Sequence, residues 1–548
     1  MYKFREPVGN PADKHGAAPE YSRVLENGML IERDLAVELR DGVKININIF
    51  RPADEVPAAP LIAWGPYGKH GHTRYSQNFP QAGVNDDHTS DYTAFEAPDP
   101  PYWVSRGYAV IYVDPRGTWY SQGDATYLSP EEALDFYDLI EWAGVQPWSN
   151  GKVGLSGVSY LTSAQWRVAE LSPPHLAAIN PWEGWTDTYR EVARHGGIPE
   201  TSFWPYLPTR WGNSTTRVED LATETAEHPF YDDFWASKTA DFSKITVPAF
   251  VVASWTDQAL HTRGTLEGFK HIASEQKWLM VHGRKKWAHY YEPESVAQQQ
   301  AFFDHFLHGK DTGLTQWSKV RLELREKYYV GNMRNHNEWP IANTQYTKLF
   351  VNAEEGTLNS QRIADAGRCS YASTADTDEP NNAQFTYTFS EPTELTGHMK
   401  LKLWMSTDGA DDMDIFIAIQ KLDKAGKIVP FAYYAQFEDG PVALGWLRAS
   451  HRELDEENST PYQPVLAHKQ ELKLKQGEVV PLEIEIWPSG TLFEAGETVQ
   501  VVVQGSDIYD YPKPSVYARH EDLVNSGTHI IHAGGQYDSH LLIPIIPD

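Results

Sequence analysis

From about residue 30 to residue 180, short apolar runs alternate with longer polar or amphipathic stretches. In "VELRDGVKININIFRP" the turn pair Asp41-Gly42 precedes Ile45, Ile47 and Ile49, which alternate with polar residues; this predicts a β-hairpin. "PLIAW", "YAVIYVD", "KVGLSGVS" and "HLAAIN" are continuous apolar runs of the kind found in buried parallel strands. Between two of them lies "SPEEALDFYDLIEWAGVQPW". Ser129 as N-cap, Pro130 at the first helical position and an acidic first turn predict a helix there. Strand, helix and strand at this spacing make a βαβ unit, and several in series predict a parallel α/β sheet. Residues 186–243 break the rhythm: they are rich in Trp, Pro, Tyr and His and contain no clear strand. The α/β texture then resumes, with "VPAFVVASWTD" and "KWLMVHG" as strands and "EPESVAQQQAFFDHFLHG" as a helix, so the middle block reads as an insertion. After about residue 340 many short alternating strands, such as "HMKLKLWM", "MDIFIAIQ" and "LEIEIWPSG", are separated by turn residues. That pattern predicts a β-sandwich or jelly roll.

Composition narrows the class. A chain of 548 residues is long for one domain. With 19 Trp, 29 Tyr and 21 Phe it can build large cores. The net charge of −28 is spread along the chain and no Lys/Arg cluster is present, which argues against nucleic-acid or anionic-membrane partners. Cys369 is the single cysteine, so no intrachain disulfide forms. There is no apolar signal core at the N-terminus and no apolar run near the ~20 residues of a membrane span. The expectation is a soluble, cytoplasmic protein.

The candidate chemistry begins at "GLSGVSYLTS". Ser159 follows the apolar "KVGL" and precedes a helix-compatible stretch, the strand–turn–helix setting of a nucleophile elbow. Ser156 lies earlier, still on the strand. An ordinary β-to-α turn with small residues accounts for the stretch equally well when it is taken alone. A serine hydroxyl needs a base and an orienting acid. Asp257 ends the strand "VPAFVVASW"; His289 lies in "RKKWAHYY", read as a loop after the strand "KWLMVHG". His282 is a rival placed within that strand. The bland readings are a capping Asp and a solvent-facing loop His. Tyr67, in the loop after "PLIAW", can offer its hydroxyl to an oxyanion or simply pack at the loop base. "HGH" at His70–His72 and "DDH" at Asp86–His88 lack further spaced ligands and read as polar loops, not metal sites.

With these stretches in order, "RDGVKININIFRP", "GPYGKHG", "RGYAVIYVDPRGTWYSQG", "PWSNGKVGLSGVSYL", "SWTDQAL" and "GRKKWAH", the chain resembles the cocaine-esterase and X-prolyl dipeptidyl-peptidase family of serine hydrolases. The resemblance covers nearly the whole chain. It implies an α/β-hydrolase catalytic domain (1–185 and 244–340), an inserted helical cap (186–243) and a C-terminal jelly-roll β domain (341–548). It further implies Ser159 as nucleophile, Asp257 as orienting acid and His289 as base, with the Tyr67 hydroxyl and the Tyr160 N–H as the oxyanion hole. No cofactor and no metal is implied. Two departures stand out. Thr162 replaces the glycine often found three residues after the nucleophile, and "GRKK" precedes Trp287 where the family often has Gly-Pro before it. The expected reaction is hydrolysis of a small-molecule carboxylic ester or amide through an acyl-enzyme. Alternatives are an X-Pro dipeptidyl-peptidase, an α-amino-acid ester hydrolase or acylase, and a catalytically silent hydrolase-fold binding protein. Trp182, Trp185, Tyr189, Phe203, Trp204, Tyr206 and Trp211 are candidates for an acyl pocket, although core packing is the better expectation for most. Glu183, Asp187, Glu191 and Glu200 are candidates to meet a substrate amine. A homo-oligomer is compatible with the composition.

Overall fold

The fold was analysed on a computed structural model that describes residues 2–54, 56–70, 73–374, 380–513 and 515–547. Its centre is a twisted sheet whose inner strands are β1 (Met29–Glu38), β2 (Lys44–Pro52), β3 (Ala59–Trp64), β4 (Tyr108–Asp114), β5 (Val153–Val158), β6 (Leu176–Trp182), β7 (Ala249–Ser254), β8 (Lys277–His282) and β9 (Val320–Lys327), extended at its ends by Ser22–Glu26 beside β1 and Val330–His336 beside β9. The spatial order is β1-β2-β4-β3-β5-β6-β7-β8-β9. β1 and β2 form the expected hairpin, with Val37 opposite Ile45, and β2 runs antiparallel to β4. From β4 to β9 every pairing is parallel. β3, β4, β5 and β7 are buried along their whole length, which is why they read as continuous apolar runs rather than alternating ones.

Helices cover both faces. Pro130–Gly144 starts as its sequence predicts: the Ser129 side chain accepts from the Glu132 N–H and Pro130 takes the first helical position. Pro293–His308 ends on Gly309 in the left-handed conformation. Residues 186–243 cross the C-terminal edge of the sheet, mostly as short helices, including Phe203–Trp211, Leu221–Glu227 and Asp233–Ser237. They carry only two-residue strands.

The C-terminal part is mostly antiparallel and has its own core. Met399, Leu401, Leu403 and Met405 of strand Thr393–Asp408 face Ile486, Ile484, Leu482 and Val480 across the ladder, and all eight are buried. Phe416, Trp446 and Trp487 from this part instead join the core of the first sheet. The two parts also meet through hydrogen bonds: Gln258 donates to the Pro488 carbonyl and accepts from the Leu444 N–H. Among the described residues no helix is long and apolar enough to cross a membrane.

Candidate active site

Three connections at the C-terminal edge of the parallel strands converge on one cleft, where open α/β sheets carry their ligands. The first follows β5. Ser159 sits between the strand and helix Tyr160–Ala169 with φ 62° and ψ −117°, a strained conformation for a residue with a side chain. Its N–H is held by the carbonyls of Trp182 and Glu183. Gly157, at φ 140°, lets the chain turn this tightly: a Cβ there would lie 2.5 Å from Leu161 Cδ2. Ser156 stays on the strand, as expected, and its hydroxyl meets that of Tyr290 at 3.0 Å. Thr162, a departure from the family pattern, ties the helix to β6. Its hydroxyl accepts from the Trp182 N–H at 2.7 Å and lies 2.8 Å from the Trp182 carbonyl.

The second connection follows β7. The Asp257 carbonyl accepts the N–H groups of Leu260, His261 and Thr262, and this turn starts helix Thr262–His271. The i to i+4 turn sets two side chains beside each other. Asp257 Oδ2 accepts a short hydrogen bond from His261 Nδ1–H, and His261 Nε2 lies 3.1 Å from Ser159 Oγ. With its proton on Nδ1, the imidazole presents a lone pair to the serine hydroxyl. Trp185 stacks on the His261 ring with centroids 5.7 Å apart. Both His261 and Asp257 are fully buried.

The third connection follows β8 and corrects one expectation. "KKWAHYY" is not a loop: Lys286–Tyr291 coils into a helix. His289 therefore lies a helical turn beyond Lys286, about 4.5 Å along the axis. Lys286 reaches the cleft, with Nζ 3.0 Å from Asp257 Oδ2 and 3.2 Å from His261 Nδ1. His289 is carried away. Its Nδ1 is 2.9 Å from Glu292 Oε2, its ring centroid is 4.0 Å from that of His282, and it packs on Trp182. The structure thus brings Ser159 and Asp257 together but not His289; His261 occupies the place expected of it. Two signals for this were present in the sequence. One is the Asp-x-x-x-His spacing at the end of a strand, which becomes a contact once a helix begins there. The other is "GRKK", the departure just before Trp287.

The charges in this cluster shape one another. Against the upward push of burial, Lys286 and then His261 hold the Asp257 carboxyl below the usual carboxylate range. Burial, and then the charge of Lys286, hold His261 below the ordinary imidazole value, while Asp257 pulls the other way. Behind them Glu183 accepts from Ser254 Oγ at 2.6 Å and pairs with His282 Nε2 at 3.0 Å. Burial and then the neighbouring Asp257 charge push Glu183 up to about 7.

Tyr67 lines the same cleft as Ser159, edge-on to Phe95 with ring centroids 4.8 Å apart. Burial and then the Glu96 charge raise its pKa, so it remains a neutral hydroxyl donor. The Tyr160 N–H lies in the first turn of its helix, where amides have no intrahelical acceptor. The Tyr160 hydroxyl points elsewhere, donating to Glu132.

The cleft encloses about 310 Å³. Its wall includes Phe203, Tyr206, Leu207 and Arg210 from the inserted block and Tyr434–Gln436 from the C-terminal part. Of the seven aromatic candidates only Phe203 and Tyr206 line it; Trp182, Trp185, Tyr189, Trp204 and Trp211 are buried in the core. Of the acidic candidates none lines it. Glu191 is paired with Arg263, Asp187 with Arg190, Glu183 with His282, and Glu200 accepts backbone N–H groups of residues 202–204. The lining carboxyl is Glu96, which the sequence reading passed over; its positive φ of 61° is invisible in the sequence. Of the two metal candidates, Gly71 and His72 of "HGH" lie outside the described residues. In "DDH" the Asp87 N–H and the His88 N–H both turn back onto Asn85.

Comparison with known proteins fits this geometry. The X-Pro dipeptidyl-peptidase (S15 family) description matches residues 41–210 and 208–291, and the X-Pro dipeptidyl-peptidase C-terminal non-catalytic domain matches 312–542. The crystal structure of a CocE/NonD family hydrolase from Staphylococcus aureus superposes with a TM-score of 0.92 at 44% identity, covering 99% of this chain and 100% of that one. The chain belongs to the CocE/NonD hydrolase family. Cocaine esterase from Rhodococcus sp. (strain MB1 Bresler) is 23% identical over 627 residues, spanning 95% of this chain and 100% of the relative. An α-amino acid ester hydrolase structure shares the fold, with a TM-score of 0.71 at 17% identity over 97% of this chain and 99% of that one. This CocE/NonD hydrolase is therefore a serine hydrolase of the S15 family, an enzyme acting on ester or peptide bonds.

Proposed function

We propose that the chain cleaves carboxylic esters through an acyl-enzyme on Ser159, with His261 as base and Asp257 as the acid that orients it. The observation that carries this is the unbroken line of contacts from Ser159 Oγ through His261 to Asp257. His261 Nε2 takes the serine proton as Oγ bonds to the ester carbonyl carbon. The carbonyl oxygen becomes an oxyanion, met by the Tyr67 hydroxyl and the Tyr160 N–H. His261 then gives its proton to the leaving alcohol as the carbon–oxygen bond breaks. Water attacks the acyl-enzyme by the same route, its proton passing through His261 back to Ser159. We read the C-terminal part as a jelly roll that supports the triad loop and completes the rim.

Esters are favoured over X-Pro peptides by the charge of the cleft. A peptidase that takes a free N-terminus needs an ionised carboxylate facing the substrate amine. The cleft's carboxyl, Glu96, is pushed up to about 8 by burial, against the pull of Lys286, and is largely neutral near neutral pH. A fluorophosphonate probe tests the assignment. Label on Ser159 in peptide mapping is expected; label on Ser156, or active protein that takes no label, would contradict it.

A further inference from the structure

The cleft before Ser159 contains a guanidinium that forms no ion pair with any carboxylate of the described residues. Arg210 extends from helix Phe203–Trp211 into the wall shared with Tyr67, Phe95, Glu96 and Ser159. One of its nitrogens donates to the Tyr206 hydroxyl at 3.3 Å, and its guanidinium carbon is 5.7 Å from the Phe95 ring centroid. Both contacts hold the group in place without cancelling its charge. Arginines close by behave differently: Arg190 pairs with Asp187, and Arg263 with Glu191 and Glu485.

Arg210 forms no ion pair among the described residues, although its charge, with that of Lys286, draws on the nearby Glu96 carboxyl against the stronger push of burial. Lys286 is also cationic, but its ammonium is spent on Asp257. Glu96 accepts the Trp287 N–H through one oxygen, its second oxygen has no hydrogen-bond partner among the described residues, and burial keeps the group largely protonated. An anionic substrate entering this space meets a planar donor with no ion-pair partner among the described residues, beside a carboxyl that burial keeps largely protonated. Guanidinium groups match carboxylates in geometry and are more weakly hydrated than ammonium groups, so the cost of drying this pair is modest.

We propose that the cleft selects esters bearing a carboxylate, and that Arg210 is the residue that binds it. This rests on the reading of Ser159 as nucleophile. The chemistry is shared by two sources, a carboxylate on the acyl part and one on the leaving alcohol, and paired substrates separate them. The acyl arm compares p-nitrophenyl glutarate monoester with p-nitrophenyl valerate. The alcohol arm compares p-acetoxybenzoate with phenyl acetate.

The expected result is a kcat/KM at least about tenfold higher for the anionic member of one pair, the scale of a charged hydrogen bond. Arg210→Gln should bring that ratio close to one, and Arg210→Lys should retain part of it. Added salt should lower the ratio in the wild type. A merely structural role for Arg210 predicts that Arg210→Gln lowers both members of a pair alike, and that result overturns the proposal. So does a wild-type ratio near one in both arms, a reading that needs no variant to fold. If wild-type protein hydrolyses the neutral esters and Ser159 takes the fluorophosphonate while the ratio is near one, only the substrate inference falls. If Ser159 takes no label and no ester is turned over, the proposed function falls and takes this inference with it.

Discussion

Lys286 places a buried positive charge 3.2 Å from the nitrogen that carries the His261 proton. An imidazolium formed at His261 would sit against that charge. Asp257 and Glu183 act in the opposite sense, and burial adds to Lys286. The net effect holds His261 below the ordinary value of 6.5, so the base stays neutral, and competent, into mildly acidic conditions. Lys286→Met removes one of the two effects that lower the pKa. The His261 pKa should rise, and the acid limb of the kcat/KM profile should move to higher pH. A limb that stays in place, or moves to lower pH, would show that Lys286 does not tune the base. Tyr67 is tested by Tyr67→Phe, which keeps the ring against Phe95 and removes the hydroxyl. The loss of one oxyanion donor costs about 10²–10³ in kcat with little change in KM. A folded variant that loses less than about tenfold would take Tyr67 out of the oxyanion hole.

At the scale of elements, the site depends on where helices begin. Helix Thr262–His271 starts directly after His261, and helix Lys286–Tyr291 starts at Lys286. These two starts decide which cation and which histidine face Asp257. The apolar runs made the strands legible, because a strand buried on both faces shows its burial directly. A helix of one and a half turns such as Lys286–Tyr291 has no such signature, and its six residues contain two tyrosines and a tryptophan that would suit a loop or a strand equally well. That is why His289 could be numbered correctly in the chain and still be misplaced in space. The helix that begins directly after His261 is anchored by Arg263, whose guanidinium bridges Glu191 and Glu485. Arg263→Met leaves two carboxylates facing an apolar side chain. Breaking a buried pair in this way costs about 3–5 kcal/mol. Burial already pushes Glu191 up to about 7, and without Arg263 its carboxyl must bind a proton on folding at still higher pH. Its folded pKa is raised above the unfolded value, so the destabilisation should grow as pH rises through neutrality. Thermal melts of wild type and Arg263→Met across pH should diverge toward alkaline conditions; parallel curves would refute this account of the anchor.

At the scale of the whole molecule, the C-terminal part does two things for a site whose chemistry it does not enter. It supplies Tyr434–Gln436, Ser515 and Val516 to the cleft wall, and it holds Gln258, Arg263 and Thr256 in the triad connection. A chain ending at residue 340 should therefore lose fluorophosphonate labelling even where it stays soluble; labelling at the wild-type rate would show the triad loop to be self-supporting. The three textures of the chain made this large-scale division readable, since alternation of period two and continuous apolar runs call for different burial. The cleft itself was less readable. Glu96, Arg210 and Lys286 converge from three distant segments, and each one taken alone is an ordinary charged residue.

The account turns on which histidine serves Ser159. His261→Asn and His289→Asn, compared with wild type by kcat/KM on one p-nitrophenyl ester and by the rate of fluorophosphonate labelling, decide it most directly. His261→Asn should lose about 10⁴-fold or more in kcat/KM, with labelling slowed in parallel, because the base that takes the serine proton is gone. His289→Asn should retain activity within about tenfold, its effect passing through its contact with Glu292 and its packing on His282 and Trp182. The reverse outcome, a folded His261→Asn variant near wild-type activity with His289→Asn inactive, would contradict the account.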